Sequence, residues 1–175
     1  MFPDAPPQVP ELPSTTYSVV SSTPSTFVAP VPPSVVLPAR LPAQCFLSAA
    51  TDYVVPPMVL VAMVKHESRG RSVARVNTNG TVDSGVAQIN DASWGRYMQS
   101  RYNISTQALM SSPCQSIRVM AYVLRMEMNS RECAGTDVWC AVGRYHAPNS
   151  LANRALYVPK VKSALTEIER TRRFE

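Results

Sequence analysis

No stretch of this 175-residue chain approaches the roughly 20 consecutive apolar residues that a membrane-spanning helix needs, so no stable membrane insertion is expected. No CxxC occurs, and His66 and His146 stand far from any cysteine pair, which argues against zinc or another metal centre. No RNA- or DNA-binding motif accompanies the net charge of +5, and the arginines are scattered apart from the pairs at the very end. A nucleic-acid partner is therefore not expected, and an anionic polymer or an anionic membrane face is the better reading of a basic surface. Met1 is followed directly by FPDAPPQVP, with neither a basic n-region nor an apolar h-region of an export signal.

Charge and glycine are also missing from one end of the chain. The first 42 residues carry only Asp4, Glu11 and Arg40, and no glycine, but hold eleven of the sixteen prolines. Proline at this density blocks helices and central strands and favours an extended polyproline-II-like chain. Residues 1–42 thus read as a proline-rich extended tail or linker. A sharper reading makes the tail a docking segment, with VAPVPPSVVLPARLP as its best candidate. The tail contributes −1 to the charge, so residues 43–175, with mixed charge and apolar periodicity, carry +6 and read as one globular domain.

Four cysteines, Cys45, Cys114, Cys133 and Cys140, sit at wide and unequal spacings. An even count of this kind favours two disulfides and an oxidising compartment. Three pairings exist. Cys45–Cys114 with Cys133–Cys140 is the favoured one, because the loop-like AGTDVW separates the last two cysteines.

The pattern after Pro42 is mainly helical. Phe46, Ala49, Ala50 and Tyr53 form an apolar stripe at spacings of three and four, which predicts a short first helix. Val55-Pro56-Pro57 then suits a helix start, because proline's missing N–H would lack a partner there anyway. The helix from Met58 to about Ser68 is apolar on nearly every side and should be buried. Glu67 falls three after Val64, four after Met63 and seven after Leu60, so it projects from an apolar face. An apolar wall and a helix C-terminus both disfavour an ionised carboxylate, so both raise the pKa, as a general acid working near neutrality requires. Gly70 is the expected helix stop, and His66 reads as an ordinary partly buried or surface histidine.

Turn formers crowd the next stretch, RVNTNGTVDSG, where Asn79-Gly80 is a strong hairpin signal. VAQIN then resumes an alternation that gives Gln88 and Asn90 one parity. Two amides so placed suit the hydroxyl and acetamido groups of a sugar. Further on, Asp91-Ala-Ser-Trp94 can cap a helix, and Ser105 or Thr106 can start another turn. Pro113-Cys114 opens the longest clean helix, and Trp139-Cys140 begins one ending near Tyr145-His146. A last helix spans about Leu151 to Thr171, where Pro159 should interrupt or kink it. Apart from a hairpin over 76–89, no strand-rich region is expected.

These residues resemble the lysozyme-like lytic transglycosylases, specifically the small ones that accompany type IV and type III secretion systems and pili. The resemblance covers about 45–160 and rests on five ordered anchors: CFLSAA, HES at 66–68, DSGVAQIND at 83–91, SSPCQSIRVMAYVL at 111–124 and AVGRYHAPN at 141–149. It implies a mainly α lysozyme-like fold with a small β-hairpin beside a cleft. It places the catalytic glutamate at Glu67, with Ser68 following, and a cleft tyrosine at Tyr145, where His146 replaces the usual asparagine. Ser84, Gly85, Gln88 and Asn90 join Ser68 and Tyr145 as substrate-binding candidates. Val86 and Ala87 depart from the usual Gly-Leu-Met-Gln-Ile, and Ala87 would stand at the cleft floor. The resemblance also supports the Cys45–Cys114 pairing.

The reaction so implied is cleavage of the β-1,4 bond between N-acetylmuramic acid and N-acetylglucosamine in peptidoglycan glycan strands, closing a 1,6-anhydro ring without metal or cofactor. The same stretch also looks like animal lysozymes, where an aspartate at the place of Asp83 is the second catalytic carboxylate. Lysozyme is the standard two-carboxylate case, with separations of about 5–5.5 Å for retention and about 6.5–9.5 Å for inversion. Asp83 is thus a second catalytic candidate, for a lysozyme-type hydrolase, against a turn-holding role. A third reading, from another class, is a wall-binding assembly protein acting through residues 1–42, with secretion-system components as its partners.

Overall fold

The computed structural model describes residues 35–135 and 137–175. The docking candidate in the proline-rich stretch, residues 28–42, is therefore described only from residue 35 onward, and residues 28–34 lie outside the described residues. Seven helices and three strands occur among them: α1 Ala43–Tyr53, α2 Pro57–Ser68, β1 Val73–Val76, β2 Val82–Gly85, β3 Ile89–Asn90, α3 Trp94–Tyr102, α4 Thr106–Ser111, α5 Pro113–Met128, α6 Val138–His146 and α7 Leu151–Thr171. The fold is mainly helical with a small antiparallel sheet in the order β1-β2-β3, consistent with the lysozyme-like expectation. No helix of the described residues is long and apolar enough to cross a membrane.

Local chemistry accounts for most helix starts. Pro57 and Pro113 occupy the first turns of α2 and α5, where an absent N–H is harmless. Ser105, Ser112, Asp137 and Ser150 each accept a backbone N–H from the first turn of α4, α5, α6 and α7. Two helices differ from expectation in detail, α2 at its end and α7 at its interior proline. Arg69, not Gly70, is the left-handed cap of α2, with φ 53°. Pro159 does not stop α7, which continues through it while Tyr157, Val161, Ala164 and Ile168 keep one buried stripe along both halves. That stripe packs against α2, offsetting the backbone hydrogen bond that a proline removes.

The core is built around α5, which contributes Ile117, Met120, Ala121, Val123 and Leu124 as fully buried side chains and packs on α1 and α6. α2 adds Leu60, Val61, Ala62, Met63 and Val64, all fully buried, so the helix carrying Glu67 is anchored along its whole length. At about 1.5–3 kcal/mol for each large apolar side chain removed from water, these rows dominate the stabilisation. The buried Glu127 pairs with Arg144 at 2.6 Å, and Glu132 joins Arg144 and Arg154, tying α5, α6 and α7 together. The disulfides are Cys45–Cys114, between α1 and α5, and Cys133–Cys140, before and within α6.

The boundary expected at residues 42 and 43 falls inside the folded unit. Leu41 is fully buried, and Val36 forms a parallel bridge with Arg173. Composition misplaces this edge because proline is tolerated in the irregular path of residues 35–42, which bridges to Arg173 at Val36 and then turns at Ala39-Arg40. The hairpin is also larger than expected. Its turn lies at Asn77–Gly80, with the Gly80 N–H donating to Asn77 O, but β3 adds a third strand and residues 86–88 form a turn between β2 and β3.

Candidate active site

Glu67 lies on the last turn of α2, half-buried, with Met63 and Val64 behind it. Burial pushes its carboxyl from the usual 4.5 up to about 7, and the charge of Asp83 pushes the same way. A hydrogen bond from Tyr157 and the charge of Arg75 oppose the rise. The Tyr157 hydroxyl donates to Glu67 Oε1, which leaves Oε2 for a transferable proton. A carboxyl that is protonated up to about neutrality and held by one fixed donor is suited to general acid work.

The sheet presents a second set of groups. In the antiparallel register Arg75 stands opposite Asp83, and Asp83 stands opposite Asn90, so all three side chains share one face. The Asn90 amide donates to Asp83 Oδ1 at 2.8 Å and to Thr81 Oγ1 at 2.8 Å, while its oxygen accepts the Ala92 N–H. Asp83 acts electrostatically on Glu67, Tyr145 and His146, so this face of the sheet looks toward the end of α2. Tyr145, on α6, donates its hydroxyl to Ala87 O at 2.6 Å, and burial holds its pKa well above the usual value.

Several expected sugar contacts are instead structural. Ser68 is fully buried and donates to Val64 O and Val86 O, fastening the end of α2 to the β2–β3 turn. Ser84 pairs with Ala74 and Ile89 on the opposite face of the sheet from Asp83, so it is buried at 1 % exposure. Gly85 has φ 77°, and a Cβ there would fall 2.5 Å from Leu109 O and 2.6 Å from Ser116 Oγ. Glycine is needed at that position for close packing on α4 and α5. Ser68 and Ser84 thus present no exposed hydroxyl, and Gly85 has no side chain to offer.

The alternation argument also fails at Gln88. Residues 86–88 form a turn, not a strand, and Gln88 adopts φ 50° with its amide donating to Val73 O and Gly85 O. Its Oε1 and the Ser84 hydroxyl lack a hydrogen-bond partner among the described residues. Ala87 is not at a cleft floor. It is fully buried like Val86, with its N–H donating to Ser116 Oγ and its carbonyl accepting from Tyr145. Of the expected site residues, then, Glu67, Asp83 and Tyr145 lie near enough for their charges to act on one another, and Asn90 is tied to Asp83 by a hydrogen bond.

Three residues join them unannounced. Tyr157 is stacked on His146, with centroids 4.3 Å apart and planes 3° from parallel, and meets the edge of His66 at 5.1 Å. The two imidazoles therefore clamp the ring that bonds Glu67. Burial and the Lys160 charge both hold His66 and His146 below the usual histidine range. His66, His146, Asn153, Leu156, Tyr157 and Lys160 line an open recess of about 170 Å³ beside the acid. One signal for Tyr157 was present in the sequence. It lies on the buried stripe of α7, and a buried tyrosine hydroxyl needs an acceptor.

Comparison with known proteins identifies the family. Residues 44–163 match the family described as Transglycosylase SLT domain. The chain is 36% identical over 111 residues to Protein IpgF of Shigella flexneri, covering 62% of this chain and 68% of that protein. The Protein IpgF of Shigella sonnei matches to the same extent. X polypeptide of Escherichia coli is 31% identical over 106 residues, covering 60% of this chain and 59% of that protein. With most of its folded residues inside the matched span, the chain belongs to the transglycosylase SLT domain family, whose activity is lytic cleavage of peptidoglycan.

Proposed function

We propose that this protein cleaves the β-1,4 bond between N-acetylmuramic acid and N-acetylglucosamine and releases 1,6-anhydro ends. The reading rests on a single observation: a carboxyl walled by apolar side chains, raised to about 7, and bonded through one oxygen to Tyr157. Glu67 donates its proton to the glycosidic oxygen as the bond to C1 breaks. The substrate's own acetamido group stabilises the cationic centre. The ionised Glu67 then takes the proton of the muramyl C6 hydroxyl, whose oxygen attacks C1 and closes the ring. Acid and base are one residue, and its proton is restored at the end of the cycle.

A second reading has one specific observation in its favour. Asp83 is close enough for its charge to act on Glu67, as the second carboxylate of a lysozyme-type hydrolase would be. Against it, Asp83 is held by Asn90 within the sheet, which suits support of the site as well as chemistry. Mass analysis of digested wall separates the two. Anhydro-muropeptides support the transglycosylase, and water-derived reducing ends support the hydrolase. In the same assay Asp83→Asn keeps anhydro product under the first reading and loses all product under the second. Glu67→Gln is expected to abolish release under both, and activity near wild type would remove Glu67 from the catalytic role.

In the cell we propose that the enzyme opens the wall locally, in the periplasm or cell envelope, for a secretion or conjugation machine. Two disulfides support the compartment, and the resemblance to secretion-associated transglycosylases supports the setting. Residues 1–34 are the candidate contact with such a machine. Deleting them is expected to leave cleavage of isolated wall intact while lowering machine assembly, and equal assembly in the deletion would remove that role.

A further inference from the structure

Residues 36–41 and 172–175 lie outside the span that matches the family, yet they touch the end of the catalytic helix. The Val36 N–H donates to Arg172 O at 2.9 Å, and the Phe174 N–H donates to Val36 O at 3.0 Å, so the lead-in segment is tied to the segment after α7. From this strap Arg40 reaches the two residues that follow α2: Nε donates to Gly70 O at 2.8 Å and Nη2 to Arg69 O at 3.2 Å. Glu175 lies 3.8 Å from the same guanidinium. Leu41 and Phe174, both buried, close over Gly70, where a Cβ would fall 2.6 Å from Leu41 Cδ1 and 3.2 Å from the Phe174 ring.

The last carbonyls of any helix lack intrahelical donors, and this helix end has a further difficulty. Arg69 and Gly70 follow one another with φ 53° and 68°, a conformation that is less favourable for Arg69, which carries a Cβ, than for glycine. A planar fork of donors satisfying two successive carbonyls supports it, and its charge also suits the negative end of the helix dipole. Glu67 stands two residues before Arg69.

We propose that Arg40 is a positioning residue for the reaction, locking the last turn of α2 and through it holding the Glu67 carboxyl against the Tyr157 hydroxyl. The inference rests on the reading of Glu67 as the acid. Arg40 acts through the backbone, since the charges that act on Glu67 are those of Asp83 and Arg75. If the last turn loosens, water reaches the carboxyl, its pKa falls toward the usual value, and less acid is present at neutral pH. Simple loss of a nearby positive charge would shift it the other way.

The test uses the full chain with Arg40→Ala and Arg40→Lys. Arg40→Ala is expected to lower kcat by about tenfold or more with KM within about twofold, the pattern of a misplaced reacting group. The alkaline limb of its pH–rate profile is expected to move to lower pH, and Arg40→Lys to recover part of both effects. Amide exchange at Arg69 and Arg71 is expected to quicken while α2 from Leu60 to Val64 stays protected. A folded Arg40→Ala with wild-type kcat and an unmoved limb overturns the proposal, even if its thermal midpoint drops. Should Arg40→Ala not fold, Arg40→Lys decides, and an unmoved limb there overturns it equally. The exchange arm does not depend on Glu67 chemistry, whereas Glu67→Gln tests that chemistry alone, so the two ideas fail separately.

Discussion

Glu67→Gln is expected to leave the enzyme inactive and yet more stable than wild type at alkaline pH. The folded protein holds the Glu67 carboxyl at about 7 against 4.5 for the free side chain. Between those values the folded state keeps a proton that the unfolded chain releases, so wild-type stability falls as pH rises through that window. Each pH unit of difference corresponds to about 1.4 kcal/mol, which sets a ceiling of roughly 3 kcal/mol for the loss, complete above pH 7. Glutamine is neutral, nearly the same shape, and its Oε1 still accepts from Tyr157. The variant therefore escapes the cost of a buried charge while keeping the contact. Urea unfolding of both proteins at pH 4, 6 and 8 measures it. The variant's advantage should be near zero at pH 4 and should reach about 2–3 kcal/mol at pH 8. A difference that stays flat with pH would refute the burial argument for Glu67.

Tyr157→Phe removes the donor that favours the ionised acid. A hydrogen bond to a charged group is worth about 1.5–3 kcal/mol, so the alkaline limb of the pH–rate profile should rise by about one unit or more, measured on soluble glycan strands. Gly85→Ala drives a Cβ into Leu109 O and Ser116 Oγ at a positive φ. Overpacking and backbone strain together predict a loss of about 2–5 kcal/mol in urea unfolding. Removing Cys45–Cys114, which spans 69 residues, should cost about 4 kcal/mol, and removing Cys133–Cys140, which spans 7, about 2.5 kcal/mol, both read from denaturation of paired alanine variants.

Much of the helical framework could be read from local chemistry. Proline at the first turn, serine or aspartate caps and apolar stripes mark α2, α5 and α6 to within a residue or so. Glu67 was visible for the same reason, since helical periodicity alone puts it on the face of Met63 and Val64. The sheet side of the site was harder. Whether a residue between Val82 and Asn90 faces solvent or core depends on where the strands stop, and the turn at 86–88 breaks the alternation that would have paired Gln88 with Asn90. Ser68 went to the interior because two backbone carbonyls receive its hydroxyl, and Ser84 because strand register turns it inward with no partner among the described residues; sequence reveals neither the receivers nor the register.

The sequence by itself determined that an acid sits at the buried end of an apolar helix, because helix period and proline starts act over a few residues. Only the tertiary structure decided what holds that acid. Tyr157 reaches it across 90 positions, His66 and His146 clamp Tyr157 from two helices, and Arg40 grips the following carbonyls from a segment that composition had assigned to the tail. Contacts of that span leave no periodic trace. They exist because α7 and the strap are packed onto α2, and that packing is a property of the whole core.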